Sequence, residues 1–411
     1  MTRCLALGSL LLTASLALVP VQPAHACGAM VFPQHEQRVG GMSDQELFVM
    51  FQSGRTMLVA SAAYEGIDAN DFAFLLPLAE PPIFVEDADP SLFIALDEKT
   101  APRVGIIVAG GPSGDPPGCG LGDGTSPGAN GAGDGEVMVQ QRGQTATYEW
   151  VVVGGDTGTA VADWLSDEGY PLPADYGAAL QTYTDQEWSF FAAKVRPEAA
   201  DAALKPIELW LPASTPETFA IPLGIAAHSL PPGQTLSITA YLWGEGSIIP
   251  ENYATGRVDA EELVAYSETE TNYGELEHAL LDGDPEGTWL LDYGQHTLVG
   301  DIEYAYERAL IEGRADGDHD PSYITDLFRD TDGEGHLTRI RTELGVEQLR
   351  DLRLIRSVTP VGSNEFTTTY SEDSEDTEES SSCTVGGSRV PLWALLWLPV
   401  LAWLRPRRQR R

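Results

Sequence analysis

Short apolar runs of strand length, separated by turn residues, dominate the first two thirds of the chain. Residues 45–52 and 56–63 are apolar and rich in residues that favour strands. The segment Ser53-Gly54-Arg55 between them has turn composition, so the two runs predict a hairpin. A third run at 71–78 predicts another strand, which the pair Pro81-Pro82 terminates. The chain therefore opens with sheet-forming segments.

The same pattern locates the remaining elements and sets the fold class. Further strands are predicted at 136–141, 145–153, 187–195, 206–211, 218–223, 235–243, 337–342 and 352–358. Helices are predicted at 91–100, 157–168, 175–184, 275–281 and 301–311, with a helical turn at 346–349. Strands prevail in the first two thirds and helices become more frequent beyond a candidate sub-boundary near 245–255. This order predicts an α+β fold rather than an alternating parallel sheet.

The first 26 residues have the three parts of a secretory signal peptide. Arg3 supplies the charge, residues 5–19 are apolar, and Ala24-His25-Ala26 has the small-residue pattern of a cleavage site. Cleavage after Ala26 would leave Cys27 as the first residue of the exported protein. The alternative is a lipoprotein signal with the lipid attached to Cys27.

The C-terminal segment 383–411 has the composition of a membrane-retention tail. Cys383 precedes fifteen apolar residues, 390–404, and arginines occupy five of the last seven positions. At about 1.5 Å per residue the apolar run spans only about 22 Å, short of a hydrocarbon core of about 30 Å. The arginines would stay in the cytoplasm. The segment resembles the C-terminal sorting tails of the MYXO-CTERM type, in which Cys383 would be the processing residue; the alternative is a plain hydrophobic anchor.

Two segments have compositions that do not favour a packed core. Residues 109–135 contain eleven glycines and four prolines and predict a flexible surface loop. Residues 362–382 are rich in serine, threonine and acidic side chains and have no basic one, so they predict a disordered, self-repelling stalk. The globular region predicted between signal and stalk is thus 27–361.

The charge of the chain excludes nucleic acid as a partner. The formal net charge is −38, from 24 basic and 62 acidic residues. The two predicted removable ends hold seven of the arginines and no acidic residue, so the body has 17 basic residues and a net charge of −45. A field of this sign repels phosphates and attracts divalent cations non-specifically.

Two cysteines remain in the body once both ends are set aside. These are Cys27 and Cys119. In an oxidising compartment they either pair as a disulfide or remain free thiols, and their positions in the sequence do not decide between the two.

Several local motifs together resemble the exported bacterial family called domain of unknown function 2330. The motifs are Cys27-Gly28, Tyr64-x-Gly66 before 71–77, Phe93 to Pro102, Trp164-Leu165, Gly169-Tyr170-x-Pro, Trp188 to Phe191, Ala193 to Pro197 and 337–342. The resemblance covers residues 27–357. It implies an exported protein, and it brings no established activity, cofactor or catalytic residue. Members often carry several cysteines, whereas this chain has Cys119 in the glycine loop.

One motif has the form of a catalytic loop. Asp156-Thr157-Gly158-Thr159-Ala160 matches the loop of an aspartic protease, in which two carboxylates share a proton. A single-chain enzyme of that kind needs a second such loop, which this chain lacks. We therefore interpret Asp156 or Thr157 as the N-cap of the following helix, and keep Asp156 as the catalytic candidate of a rival envelope hydrolase.

A second motif imitates the first half of a calcium loop. Asp330, Asp332 and Glu334 stand at ligand positions 1, 3 and 5, but Arg341 occupies position 12, where a bidentate Glu belongs. Calcium is therefore the cofactor that this motif suggests. The alternative is a solvated acidic loop. The spacing of the six histidines in the body matches no zinc-binding motif. The tryptophans on apolar segments, Trp188 among them, are interpreted as core residues.

Taken together, these patterns predict an exported protein presented on the outer face of the cell envelope. Its predicted partners are the membrane, through the C-terminal tail, the signal peptidase and a sorting protease. A binding or structural surface role is favoured over catalysis, because no convincing catalytic site is present. The alternatives are the envelope hydrolase and a calcium-stabilised surface protein. The ligand stays open.

Overall fold

The computed structural model describes residues 45–62, 73–108, 137–170, 172, 176–199, 205–228, 230, 233–315 and 322–371. Its strands are β1 Gln45–Phe51, β2 Arg55–Ala62, β3 Ala73–Leu78, β4 Phe84–Asp87, β5 Arg103–Val108, β6 Val137–Gln144, β7 Tyr148–Gly155, β8 Ser189–Val195, β9 Ile207–Pro212, β10 Ala220–Ile221, β11 Thr235–Gly244, β12 Ile248–Pro250, β13 Ala254–Gly256, β14 Thr288–Leu298, β15 Glu334–Gly345, β16 Leu352–Arg356 and β17 Glu365–Tyr370. Its α-helices are α1 Ser91–Thr100, α2 Gly158–Asp167, α3 Tyr176–Thr184, α4 Tyr273–Leu281, α5 Val299–Ile311 and α6 Ser322–Leu327. The α+β class is confirmed.

The larger sheet has eight strands in the order β13-β14-β15-β11-β1-β2-β9-β4. The predicted hairpin is confirmed, since β1 and β2 pair in antiparallel register. β1 also pairs in parallel with β11, which lies far along the chain. Leu47 and Val49 point to one face of the sheet and Phe48 and Met50 to the other, and all four are buried. Both faces of the sheet are therefore covered, which explains the continuous apolar run of β1.

Each face of the larger sheet has its own core. On one face it packs against a four-stranded sheet in the order β3-β8-β7-β6, and residues of both sheets share one apolar cluster. On the other face lie α1, α5 and α6, which contribute Leu92, Ile302 and Ile324 to a second cluster. A three-stranded sheet, β10-β16-β12, completes the region next to the first core. The edges where these sheets meet position the site described below.

The helices α2 and α3 approach each other at two glycines. Gly158, the first residue of α2, donates its backbone N–H to Oε1 of Gln181 over 2.9 Å. A Cβ atom on Gly158 would lie 2.8 Å from the carbonyl carbon of Leu180 and closer still to the backbone of Gly177 and Gln181. Only glycine permits this approach, because the neighbouring atoms are backbone atoms that no rotamer change can move.

The structure corrects the prediction beyond residue 245. The pattern did not predict β14, an eleven-residue strand, and the candidate sub-boundary at 245–255 does not divide the fold. β11 precedes that boundary and pairs over ten positions with β15, which follows it. Residues 27–361 therefore do not separate there into two sheets.

The structure also corrects where the predicted stalk begins. Residues 365–370, assigned to the stalk at 362–382, form β17 and pair in parallel with β5. Phe366 is buried, and its ring lies 5.4 Å from that of Tyr273. Phe366 and the pairing with β5 attach this strand, and the polar composition of the whole stretch conceals it. The compact unit extends to Tyr370.

Several predictions concern residues that the structure does not describe. These are the signal peptide 1–26, the whole glycine loop 109–135, residues 372–382 of the stalk and the tail 383–411. Among the helices that are described, none combines the length and apolar character required to cross a bilayer.

Candidate ligand-binding pocket

A pocket of about 210 Å³ opens where the two sheets and the small sheet meet. Its walls come from the ends of β3 and β9, from the residue before β8, and from β10 with its flanking residues. The lining residues are Leu58, Pro77, Leu78, Ala79, Glu80, Trp188, Leu211, Pro212, Ala213, Ser214, Thr218, Phe219, Ala220, Ile221 and Pro222. An engineered cavity of about 150 Å³ holds benzene, so this volume suffices for one aromatic ring or a branched aliphatic group.

The floor of the pocket is apolar and firmly packed. Leu58, Leu78, Leu211 and Ile221 line it and are buried members of the first core. Phe219 forms part of the side, and its ring packs edge-on against Phe51 with centroids 5.7 Å apart. The lining is thus anchored in the protein core and is largely preformed, as is usual for small-molecule sites.

Trp188 forms another side of the pocket, and an unusual backbone conformation places it there. Glu187 has φ of 62°, in the left-handed region that normally favours glycine. The N–H of Trp188 donates to the carbonyl oxygen of Tyr183 over 3.0 Å, and that of Glu187 to Thr184 over 2.9 Å. These bonds form the left-handed C-terminal cap that ends α3. The cap turns the chain so that Trp188 enters β8 beside the pocket.

A buried hydrogen-bond network supports Trp188 from behind. The ring of Tyr183 lies 5.5 Å from that of Trp188. The Tyr183 hydroxyl donates to Oδ1 of Asp351 over 2.8 Å, and the Gly224 N–H donates to the same oxygen over 2.9 Å. Burial raises the pKa of Asp351, while these two donors act in the opposite direction. The network links α3 to the segment that follows β10, so both sides of the pocket are held together.

The mouth of the pocket carries the few polar groups. The hydroxyls of Ser214 and Thr56 lie 2.7 Å apart, and the Ser214 N–H donates to the Thr56 oxygen over 2.9 Å. Glu80 and Thr218 line the opening and are exposed. The charge at the mouth is therefore negative, like that of the chain as a whole, and disfavours anionic ligands.

A second polar feature, a buried charge network, lies on the helix-covered face of the larger sheet. Arg339 and Arg341 on β15 both contact Asp292 on β14, with Nε to Oδ2 distances of 3.3 and 3.0 Å. Nη1 of Arg339 also lies 2.7 Å from Oδ1 of Asp97 on α1. The Asp292 side chain is only 3 % exposed. The network joins α1 to two strands, and its charges compensate one another around the buried Asp292.

Glu46 lies beside this network and titrates near neutral pH. Its Oε1 accepts a hydrogen bond of 3.3 Å from the hydroxyl of Tyr241. Burial raises the pKa of Glu46 to about 7; the charge of Asp97 adds to this rise, while Arg339 and Tyr241 oppose it. No sequence pattern distinguished Glu46 from the other acidic residues. It does not line the pocket.

Asp156 lies in the exposed turn between β7 and α2. The predicted helix cap is confirmed at its neighbour, because Oγ1 of Thr157 accepts from the N–H of Ala160 over 3.2 Å. The motif therefore has a structural explanation as a helix start. The catalytic role of Asp156 stays a prediction.

The three calcium candidates have other partners or face solvent. Asp330 forms an ion pair with Arg55. Glu334 opens β15, where its Oε2 lies 3.5 Å from Nε2 of His296, and Asp332 is exposed. Within the described part of the chain, no three His, Cys, Asp or Glu side chains form a group able to hold a metal ion. The calcium loop therefore stays a prediction without a ligand cluster to support it.

Four predicted site residues remain, and one tryptophan interpreted as core lies at the pocket. Ala26, Cys27, Cys119 and Cys383 lie outside the described residues. Trp188 was interpreted as a core residue, but it lines the pocket and is only partly buried. Its side chain packs against the first core, as interpreted, and also borders the pocket. An apolar strand context cannot distinguish a core ring from one at the edge of a cavity.

Solved structures give only distant similarity. A mutated baculovirus P35 after caspase cleavage matches at 10 % identity with a TM-score of 0.28, over 51 % of this chain and 73 % of that one. A chain of the caspase-8/P35 complex matches at 8 % identity with a TM-score of 0.32, over 79 % of this chain and 99 % of that one. Scores this low establish no common fold. No curated protein matches the chain.

A family model matches residues 21–256, which is more than half of the chain. The match includes the predicted cleavage site, the first hairpin and every lining residue of the pocket. It also contains most of the motifs on which the resemblance was based. The chain belongs to the family of uncharacterized proteins conserved in bacteria that is designated DUF2330.

Proposed function

We propose that this protein is an exported binding protein of the bacterial cell envelope whose pocket takes one aromatic or branched aliphatic group of a neutral or cationic ligand. The observation that carries the proposal is the preformed apolar pocket lined by Trp188 and Phe219. An apolar pocket with a few polar groups at its mouth is the usual form of a small-molecule site. The exported location is supported by the signal-peptide pattern and by the tail at 383–411.

Size and charge define the ligand class. A volume of about 210 Å³ leaves room for a single ring or branched chain, so the rest of the ligand stays at the surface. Glu80 at the opening and the net charge of −38 disfavour a carboxylate or phosphate on that exposed part. Ser214 and Thr218 offer hydroxyls to a neutral polar group.

Three probes that share one ring and differ in charge test this proposal. We expect benzyl alcohol and benzylamine to bind the full chain with a Kd of about 1 mM, the affinity that a fragment of eight heavy atoms achieves. Benzoate should bind more weakly, because its carboxylate meets the negative charge at the mouth. Saturation-transfer NMR measures all three, and the benzyl alcohol titration gives the reference affinity.

A blocking variant and a matched control locate the binding. Ala213→Trp places an indole at the mouth, and because Ala213 is exposed the fold should tolerate it. Ala254→Trp makes the same change at an exposed position on β13, which does not line the pocket. Binding should disappear only in the first variant. Equal binding to both variants, or equal affinity for all three probes, contradicts the proposal.

The exported location has its own test. We expect intact mass analysis of fractionated cells to find the protein in the envelope fraction, beginning at Cys27 and shortened near Cys383. Cys383→Ser should leave the C-terminal tail attached, because the processing residue is gone. The uncut chain in the cytosol would contradict this half of the proposal, whatever the pocket binds.

A further inference from the structure

Two histidines distant in sequence come together across a pair of strands. His296 on β14 and His336 on β15 are directly opposite in the antiparallel register. Their ring centroids are 5.8 Å apart, and the rings are nearly perpendicular at 84°. Side chains directly opposite one another in an antiparallel pair project from the same face of the sheet. The two imidazoles therefore form a pair on one face of the larger sheet, on the second and third strands from its β13 edge.

The spacing of the two rings suits coordination of one ion. A zinc–nitrogen bond is about 2.1 Å, so each ring centroid would lie about 3.2 Å from the metal. Two such rings at a tetrahedral or somewhat wider angle have centroids about 5–6 Å apart. The observed 5.8 Å falls in this range.

The surroundings favour a cation. Oε2 of Glu334 lies 3.5 Å from Nε2 of His296, so a carboxylate flanks the pair. A negative charge beside two imidazoles attracts a positive ion to this place.

We propose that His296 and His336 bind a divalent transition metal of the zinc type, with Glu334 as the flanking carboxylate. Imidazole nitrogen is the ligand that Zn²⁺, Ni²⁺ and Cu²⁺ prefer over the oxygen ligands chosen by Ca²⁺ and Mg²⁺. The two rings supply two ligands and water completes the shell, since the described residues offer no group of three. His296 is 53 % exposed, so the metal has access from solvent.

Zinc titration of the chelator-treated full chain, without a histidine tag, tests the proposal. Excess Mg²⁺ is present throughout, because it occupies the acidic surface without competing for imidazole. Calorimetry should show one equivalent of Zn²⁺ bound by the wild type. His296→Ala and His336→Ala should each weaken this binding by more than about tenfold, and Glu334→Gln by about tenfold.

The chain provides a matched control. His278 on α4 is also exposed and also faces a carboxylate, with Nε2 lying 3.4 Å from Oδ2 of Asp282, but it has no opposite histidine. His278→Ala should bind zinc as the wild type does. The proposal is overturned if the wild type binds no zinc under Mg²⁺, if both pair variants keep wild-type affinity, or if His278→Ala loses as much. Because His296 is exposed, its removal leaves the fold intact, which circular dichroism verifies.

Discussion

Replacing Asp292 by Asn will lower the free energy of unfolding by about 3–5 kcal/mol. The change keeps the size of the side chain and removes the one carboxylate that Arg339 and Arg341 share. Both guanidinium groups are largely shielded from water, with 6 % and 20 % of the side chain exposed. Leaving two buried charges partly uncompensated costs far more than the attraction in a surface pair contributes. Urea unfolding measures the effect through the midpoint and slope of the transition.

A surface ion pair of the same geometry is the control. Nε of Arg353 lies 3.0 Å from Oε2 of Glu251, the distance also found between Arg341 and Asp292, but these side chains are 63 % and 47 % exposed. Glu251→Gln should therefore cost less than about 1 kcal/mol. Both variants are compared at pH 8, above the pKa of Glu46. Equal losses of unfolding free energy in the two variants would show that burial of the network does not determine its contribution to stability.

Replacing Gly158 by Ala will separate α2 from α3 and cost about 3 kcal/mol, the upper part of the range for overpacked sites. The added methyl group would meet backbone atoms of Gly177, Leu180 and Gln181, so a helix has to shift. The shift also breaks the hydrogen bond from the Gly158 N–H to Gln181. Thermal unfolding followed by circular dichroism measures the loss.

Gly300→Ala is the matched variant for this experiment. Gly300 lies in the first turn of α5, and a Cβ atom there meets nothing within 4 Å. This substitution should raise the stability by about 0.4–1 kcal/mol, because it restricts the unfolded chain. A Gly158→Ala variant as stable as Gly300→Ala would mean that the helices are not in the tight contact described.

Elements with strong local signals could be predicted from the sequence. The helix at 91–100 has the same bounds in the structure, because the Ser91 N–H donates to Oδ1 of Asp89 over 2.9 Å at its start and Pro102 follows its end. The hairpin of β1 and β2 also carries its turn within the sequence. In contrast, the parallel pairing of β1 with β11 depends on residues nearly two hundred positions apart and leaves no local pattern.

The missed strand β14 shows why patterns fail where charge is buried. Asp292, Gly294 and His296 interrupt its apolar run, and a hydropathy pattern counts all three as signs of a loop. Asp292 is buried because two arginines from the neighbouring strand neutralise it. Those partners become apparent only when the strands are paired.

The pocket could not be predicted for a related reason. Its lining comes from five separate segments, and each segment alone has the composition of a core strand or turn. The left-handed conformation of Glu187, which positions Trp188, has no sequence signal because glutamate rarely adopts it. The same holds for His296 and His336, whose spacing along the chain of forty residues matches no metal motif.

The parallel pairing of β17 with β5 has a mechanical consequence. Tension transmitted along the polypeptide from beyond Tyr370 enters the fold at the end of β17 and runs along the strand axis. The evenly spaced hydrogen bonds to β5 then share the load in shear instead of opening one after another. Pulling the strand free also requires extracting the buried Phe366 ring, so the attachment resists force better than its short length suggests.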